Sequence, residues 1–141
     1  MINLSARLDA LAPAVLSLLR VVFGFLFTLF GTSKIFDWPL TMSIPVGSWP
    51  AWYAGVIELV CGLLIMVGLF TRAAAFIASG AMAVAYFWVH HPMGLWPIAP
   101  PEYGGNGGLD AIAFCFVFFL LVFTGPGPFS VDRLRTRTPA G

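Results

Sequence analysis

The stretch PAVLSLLRVVFGFLFTLFGTSK, residues 13–34, decides the fold because Arg20 is its only charged residue before the terminal Lys34. An α-helix advances about 1.5 Å per residue, so about 20 apolar residues cross the ~30 Å hydrocarbon core of a bilayer. The run is also longer than the roughly 7–15 residues of a signal-peptide core, and no small-residue cleavage site follows it. Residues 13–34 therefore predict a retained transmembrane helix with Pro13 in its first turn. The N–H groups of a first turn make no hydrogen bond within the helix, so the missing N–H of proline is tolerated there.

Three further apolar stretches follow, over residues 51–70, 72–91 and 109–125. Each is continuously apolar rather than alternating, as is typical of helices surrounded by lipid. The composition agrees, since 60% of the 141 residues are hydrophobic and 9% are charged, against about 45–50% and about 25% in soluble domains. The sequence predicts an all-α integral membrane protein, a four-helix bundle in a single domain of residues 1–141, with helices at about 13–34, 51–70, 72–91 and 109–125.

The connections and the basic residues predict the topology. Only Thr71 separates the second and third helices, so these two form a tight antiparallel hairpin in which the Thr71 hydroxyl is available as an N-cap. The links over residues 37–50 and 92–108 are rich in proline and glycine, as is typical of loops outside the bilayer. Lys34 is alone on the side of these loops, whereas five arginines lie on the side of both termini: Arg7, Arg72, Arg133, Arg135 and Arg137. The positive-inside rule therefore predicts cytoplasmic termini and outward-facing loops.

The composition also excludes several kinds of partner. The formal net charge is +1, which gives no basic surface to hold nucleic acid. Adjacent His90 and His91 project about 100° apart on a helix, and two cysteines are too few for a four-thiolate site, so no metal site is predicted. The predicted partner is the lipid bilayer. Small residues at helical spacing, such as Ala74 and Ala78, predict close helix packing and equally suit contacts in a homo-oligomer.

Two charged residues lie inside the apolar stretches. Arg20 and Glu58 are each about seven residues into a helix, where a charge costs roughly 2.5–3.5 kcal/mol unless it faces protein or water. Two interpretations of Arg20 stay open: a structural buried charge, or a side chain that extends to the inner headgroups. Glu58 has a shorter stem, which favours a partnered or functional role. Its partner, whether Arg20, Lys34 or neither, is left open.

The spacing of glycines and charges resembles that of the DoxX family of small bacterial membrane proteins. The chain reads RxxxGxxxxxxGxxK over residues 20–34 and GxxExxxGxxxxxGxxxR over residues 55–72. An alanine-rich third helix with Met82 and the tail GPGxxSxD over residues 125–132 also fit. The resemblance runs over about residues 18–134, nearly the whole chain.

The resemblance implies a four-helix protein of the bacterial inner membrane that is associated with redox systems. Such proteins include a subunit of a thiosulfate:quinone oxidoreductase and members proposed to scaffold thiol-oxidation and superoxide-defence enzymes. This chain has no CxxC pair, haem-ligand pair or flavin motif, so we expect no intrinsic electron carrier. A redox role then requires a bound quinone or a partner protein, and any enzyme activity is that of an oxidoreductase subunit. The alternatives are a small-molecule permease and a non-catalytic anchor or assembly factor.

The predicted topology brings six polar side chains to the outer end of the helices: Lys34, Tyr53, Glu58, Tyr86, His90 and Asp110. The tryptophans fall at the same level, either as an aromatic belt or as a lid over a cavity. An apolar slot with hydrogen-bond donors and a titratable group suits the headgroup of a quinone. Glu58 is the candidate proton carrier, and all six are candidate ligand-binding residues. In the simpler alternative these groups only cap helix ends.

Overall fold

The computed structural model describes residues 3–137, and within them all regular secondary structure is helical. The five α-helices are α1 (Leu4–Phe36), α2 (Ala51–Val67), α3 (Thr71–Ala85), α4 (Leu109–Thr124) and α5 (Val131–Arg137). This confirms the all-α prediction. α1 and the span Thr71–Met93, which begins with α3, are long and apolar enough to cross a membrane, whereas α2 and α4 are apolar but shorter. The four-crossing bundle and the cytoplasmic termini stay predictions.

α1 begins at Leu4 rather than near residue 13, so the prediction that Pro13 occupies the first turn is wrong. The Asn3 side chain caps the helix by accepting a hydrogen bond from the Ser5 N–H at 3.1 Å. Leucine and alanine make up most of the added turns, and their high helix propensity extends the helix through the proline. Pro13 lacks an N–H and so removes one bond from the ladder, while its carbonyl accepts from Ser17 Oγ at 3.3 Å.

Glycines let α1 and α2 approach each other closely. A Cβ added at Gly24 would lie 2.6 Å from the backbone nitrogen of Met66, and one added at Gly31 would overlap the backbone of Leu59. Real Cβ atoms do not come this near to a backbone, so only glycine allows this separation of the two helices. The repeated glycines of residues 20–72 are therefore packing positions.

The core between α1 and α4 is built from phenylalanine rings. Phe27, Phe114 and Phe118 are buried, and the rings of Phe27 and Phe118 meet edge to face with centroids 4.8 Å apart. On the other side of α4, Ser79 of α3 donates from Oγ to the Cys115 carbonyl at 2.9 Å. These contacts fix α4 against both α1 and α3.

The turn between α2 and α3 is capped from a distant part of the chain. Thr71 is the first residue of α3 rather than its N-cap, so the predicted capping role of its hydroxyl is wrong. The Asp132 carboxylate of α5 instead accepts from the Phe70 and Thr71 N–H groups, at 2.9 Å each. Burial by itself raises the pKa of Asp132, but these two backbone donors, the Thr71 hydroxyl and the charge of Arg135 together hold the pKa below its usual value. One carboxylate can satisfy two helix N–H donors, which a single hydroxyl cannot do.

The third helix changes its winding before it ends. The regular α-helix stops at Ala85, a π-helical turn spans Tyr86–His90, and a short 3₁₀ turn covers His91–Met93. A π turn holds more residues than an α turn, so it rotates the side chains that follow it, and such turns are frequent at functional sites. The turn thereby sets the direction of His90.

The helices have two chemically distinct ends. The α2–α3 turn and α5 meet the early part of α1, where the Phe129 N–H donates to Ser17 Oγ at 3.3 Å. We call this the terminal end. The last turn of α1, the first turns of α2 and α4, and the loop of residues 94–108 form the opposite, loop end. The candidate site lies at the loop end.

Candidate functional site

Glu58 and Lys34 form a buried ion pair at the loop end. Lys34 Nζ lies 2.5 Å from Glu58 Oε1, and the side chains of Lys34 and Glu58 are 20% and 4% exposed. Gly55 makes room for the lysine, because a Cβ there would lie 2.8 Å from Lys34 Cβ. Arg20 is at the terminal end, so the structure pairs Glu58 with Lys34.

Glu58 keeps one oxygen without a partner. Its Oε2 atom is buried and has no hydrogen bond within the part of the chain that the structure describes. A buried polar atom of this kind carries an energetic penalty unless a ligand or water supplies a donor.

A small cavity, which we call the chamber, encloses this ion pair. It has a volume of about 130 Å³ and is bounded by Lys34, Glu58, His90 and Asp110 on its polar side. Its apolar wall consists chiefly of phenylalanine rings and small side chains from α1, α3 and α4: Phe27, Phe30, Met82, Ala85, Ala111 and Phe114. Asp110 is exposed in the first turn of α4. Its carboxylate therefore connects the chamber to the loop surface.

A larger apolar cavity, which we call the slot, lies beside the chamber. It has a volume of about 460 Å³ and shares Lys34, Ala85 and His90 with the chamber. Trp49 and Trp88 stand at its side, 71% and 62% exposed, with ring centroids 6.3 Å apart. Of the five tryptophans, these two border the slot, whereas Trp38, Trp52 and Trp96 border neither cavity, so the choice between a belt and a lid stays open.

The orientation of His90 is fixed by the loop. Its Nδ1 lies 2.9 Å from the Asn106 carbonyl. A carbonyl can only accept, so Nδ1 carries the hydrogen, and in the neutral ring Nε2 is left as an acceptor. The π turn and this bond together hold the imidazole between the chamber and the slot.

Asn106 organises the loop that holds His90, and sequence reasoning missed it. The residue is 1% exposed, donates from Nδ2 to the Gly94 carbonyl at 2.8 Å and accepts at Oδ1 from the Gly108 N–H at 2.8 Å. Its own N–H donates to the Trp96 carbonyl at 2.8 Å. The available signal was the GGNGG run of residues 104–108. Its asparagine is the only residue in the run whose side chain can form hydrogen bonds with the backbone of this glycine-rich loop.

The six residues predicted for this site separate into groups. Lys34, Glu58, His90 and Asp110 meet around the chamber. Tyr53 lines the slot and not the chamber. Tyr86 borders neither cavity, and its hydroxyl lies 3.5 Å from Asn106 Nδ2. The tyrosine is therefore part of the loop support.

Arg20 is bound entirely within the protein at the terminal end. The residue is 1% exposed. Its guanidinium donates from Nη1 to the carbonyls of Ile65 and Met66, both at 2.6 Å, and from Nε to that of Pro126 at 2.8 Å. Nη2 donates to the Phe129 carbonyl at 2.5 Å. The interpretation that Arg20 extends to the lipid headgroups is wrong, because carbonyls at the end of α2 and before α5 hold the guanidinium inside.

Arg72 repeats this arrangement at the end of α4, which sequence reasoning also missed. Its Nη1 donates to the carbonyls of Val122 and Phe123 at 2.5 and 2.7 Å. Arg20 and Arg72 thus donate hydrogen bonds to backbone carbonyls at the carboxyl ends of α2 and α4. Both are positions of the glycine-and-charge pattern noted in the sequence.

Comparison with known proteins gives consistent matches. A family model described as DoxX matches residues 15–91. An uncharacterized protein of Haemophilus influenzae is 39% identical over 133 residues, which cover 90% of this chain and 95% of the relative. Inner membrane protein YphA of Escherichia coli is 29% identical over 136 residues, which cover 88% of this chain and 92% of the relative. No solved structure matches the chain.

Proposed function

Because this chain belongs to the DoxX family of membrane proteins, we propose that it is a multi-pass protein of the bacterial inner membrane that binds a quinone at its loop end. In this proposal it serves as the membrane subunit of a redox system whose electron carriers reside in a partner protein. Its four longer helices cross the bilayer, both termini are cytoplasmic, and the chamber and slot face outward.

The observation that carries the proposal is the pairing of an apolar slot with a ring-sized polar chamber. An engineered cavity of about 150 Å³ holds a benzene ring, and the chamber has about 130 Å³. The adjoining slot of about 460 Å³ has room for part of an apolar tail. A quinone has this shape, a polar ring with an apolar tail, and ligand sites combine apolar walls with a few placed polar groups in the same way.

The residues around the chamber suit proton transfer to and from a quinone ring. When bound, the quinone supplies the electron chemistry. Lys34 Nζ is a donor for a ring oxygen, while Glu58 Oε2 has no other partner and is the candidate proton carrier. Asp110 at the exposed edge offers the proton a route to the loop surface.

A binding titration tests the first part of the proposal. The protein in lipid nanodiscs is titrated with decylbenzoquinone and, without oxygen, with its hydroquinone form. We expect saturable binding, and we expect Glu58→Leu to weaken the binding of the hydroquinone about tenfold or more, the effect of losing one charged hydrogen-bonding group. Glu102→Gln is the matched control, since Glu102 is exposed and borders neither cavity. A folded wild-type protein without saturable binding contradicts the proposal.

Removal of the protein from cells tests the second part. Membranes that lack the chain should lose a quinone-linked oxidoreductase activity, and Glu58→Leu should not restore it. If Glu58→Leu restores full activity, or if a partner enzyme merely leaves the membrane, the chain is an anchor or assembly factor.

A further inference from the structure

The polar side chains around the chamber are unbalanced, because three of them, Glu58, His90 and Asp110, offer acceptors and one, Lys34, offers donors. From this imbalance we infer that the chamber prefers a phenolic ligand, the hydroquinone form, over the dione. This inference rests on the proposed function, because it concerns the same cavity, and it adds which chemical form of the ligand the cavity recognises.

The first acceptor is Glu58 Oε2. The side chain is 4% exposed, and this oxygen has no donor within residues 3–137. The other oxygen is already bound to Lys34. An approaching hydroxyl would supply the missing donor, whereas an approaching carbonyl would place oxygen against oxygen.

The second acceptor is His90. Its Nδ1–H is committed to the Asn106 carbonyl, so the neutral ring has only a lone pair at Nε2 to offer. His90 borders both cavities, which places it where a ring and its tail would join. The carboxylate of Asp110 adds further acceptors at the edge of the chamber. Among the side chains that border the chamber, the donor is Lys34, and one of its three N–H groups already donates to Glu58 Oε1.

A dione and a hydroquinone differ in the hydrogen bonds that their two oxygens can form. The dione only accepts hydrogen bonds, so Lys34 is its one partner among these side chains. The hydroquinone donates two and can satisfy Glu58 and His90 together. A site built to bond a hydroxyl discriminates strongly against an analogue that lacks it, because its own polar groups are then left unpaired.

Three probes with the same ring and decyl tail test the inference: decylhydroquinone kept reduced without oxygen, its dimethyl ether, which is larger by two methyl groups, and decylbenzoquinone, which has nearly the size of the hydroquinone. Each is titrated into the protein in nanodiscs by calorimetry. We expect the hydroquinone to bind about tenfold or more tightly than the other two, the effect of one or two lost hydrogen bonds. Dimethyl ether or dione binding as tightly as the hydroquinone overturns the inference and leaves quinone binding intact. Absence of saturable binding for all three overturns the proposed function as well.

Two variants locate the preference. Glu58→Gln replaces the acceptor-only carboxylate by an amide that also donates, so the ratio of hydroquinone to dione affinity should fall several-fold. Asp110→Asn makes the same change at an exposed position, where folding is not at risk. Glu102→Gln should keep the wild-type ratio. An unchanged ratio in both chamber variants contradicts the assigned acceptors.

Discussion

Arg20 shows how a single buried charge can join separate parts of a membrane protein. Four backbone carbonyls from the end of α2 and from the segment before α5 surround its guanidinium. The planar group has five N–H donors in a fixed fork, which a lysine ammonium cannot reproduce. The residue therefore stabilises the terminal end through geometry as well as charge.

We predict that Arg20→Lys destabilises the protein by about 3–5 kcal/mol, the usual result of breaking a buried charged network. The lysine keeps the charge but leaves several carbonyls without a donor. Unfolding by denaturant in detergent measures the change. Arg133→Lys, on the exposed surface of α5, should stay within about 0.5 kcal/mol of the wild type. Equal stability of the two variants would contradict the role of the network.

Glu58 allows a second comparison at the scale of one residue. Glu58→Gln retains hydrogen-bonding capacity toward Lys34, whereas Glu58→Leu leaves the lysine without a partner. We expect Glu58→Gln to cost about 1 kcal/mol and Glu58→Leu about 3 kcal/mol. The same unfolding measurement applies. If both variants are equally stable, Glu58 does not face Lys34 in a protein interior.

Glycine positions decide how the helices pack as elements. Gly24 faces the backbone of Met66 across the α1–α2 interface, whereas a Cβ at Gly80 on α3 meets nothing within 4 Å. The same substitution should therefore have opposite effects at the two sites.

We predict that Gly24→Ala destabilises the protein by about 1–3 kcal/mol, because the added methyl forces α1 and α2 apart. Gly80→Ala should instead stabilise it by about 0.5–1 kcal/mol, since alanine is the better helix former and has open space. Denaturant unfolding of the two variants provides the test. A loss of stability in both would mean that helix packing is not the cause.

The Asp132 cap ties α5 to α3 and makes this connection depend on pH. Burial raises the pKa of Asp132, but the Phe70 and Thr71 N–H groups, the Thr71 hydroxyl and the charge of Arg135 together place the folded-state pKa below its usual value. Its contribution is therefore complete above the ordinary aspartate pKa of about 3.9. It is lost as the pH falls through the lower folded-state pKa.

We predict that wild type is more stable than Asp132→Asn near neutral pH and that this difference disappears under acid conditions. Unfolding free energies of both proteins between neutral and strongly acid pH provide the measurement. A difference that does not change with pH would show that the carboxylate charge is not what caps α3.

At the scale of the whole molecule, the distribution of basic residues predicts the orientation in the membrane. Arg72 and the arginines of α5 lie at the terminal end, whereas Lys34 lies at the loop end. A reporter that works only in the cytoplasm should be active when it is fused after Gly141. A reporter that works only in the periplasm should be active when it is inserted within residues 104–108. A periplasmic C-terminus would reverse the sides of the chamber and the slot.

The sequence by itself determined the all-α class of the protein, the approximate places of four helices and the glycine pattern, whereas the start of α1 at Leu4 and the short helix α5 were not predicted. The predicted features are properties of local composition: a helix needs a certain length of apolar residues to cross lipid, and that length can be counted along the chain. Counting also placed Lys34, Glu58, His90 and Asp110 at one end, because antiparallel helices bring their alternate ends together. The resemblance to the DoxX family rests on the same spacing, and the match of the family model to residues 15–91 confirms it.

Only the tertiary structure decided which groups bind one another. Arg20 binds carbonyls 45 to 109 residues away in the chain, and Asp132 caps a helix 61 residues before it. The partners of Arg20 and Asp132 are backbone atoms. Every residue has these atoms, so no pattern of side chains in the sequence predicts which of them are bound. The π turn that directs His90 and the free oxygen of Glu58 likewise result from how the helices fit together. The physical reason is that such bonds depend on separations between distant segments, and spacing along the chain does not contain these distances.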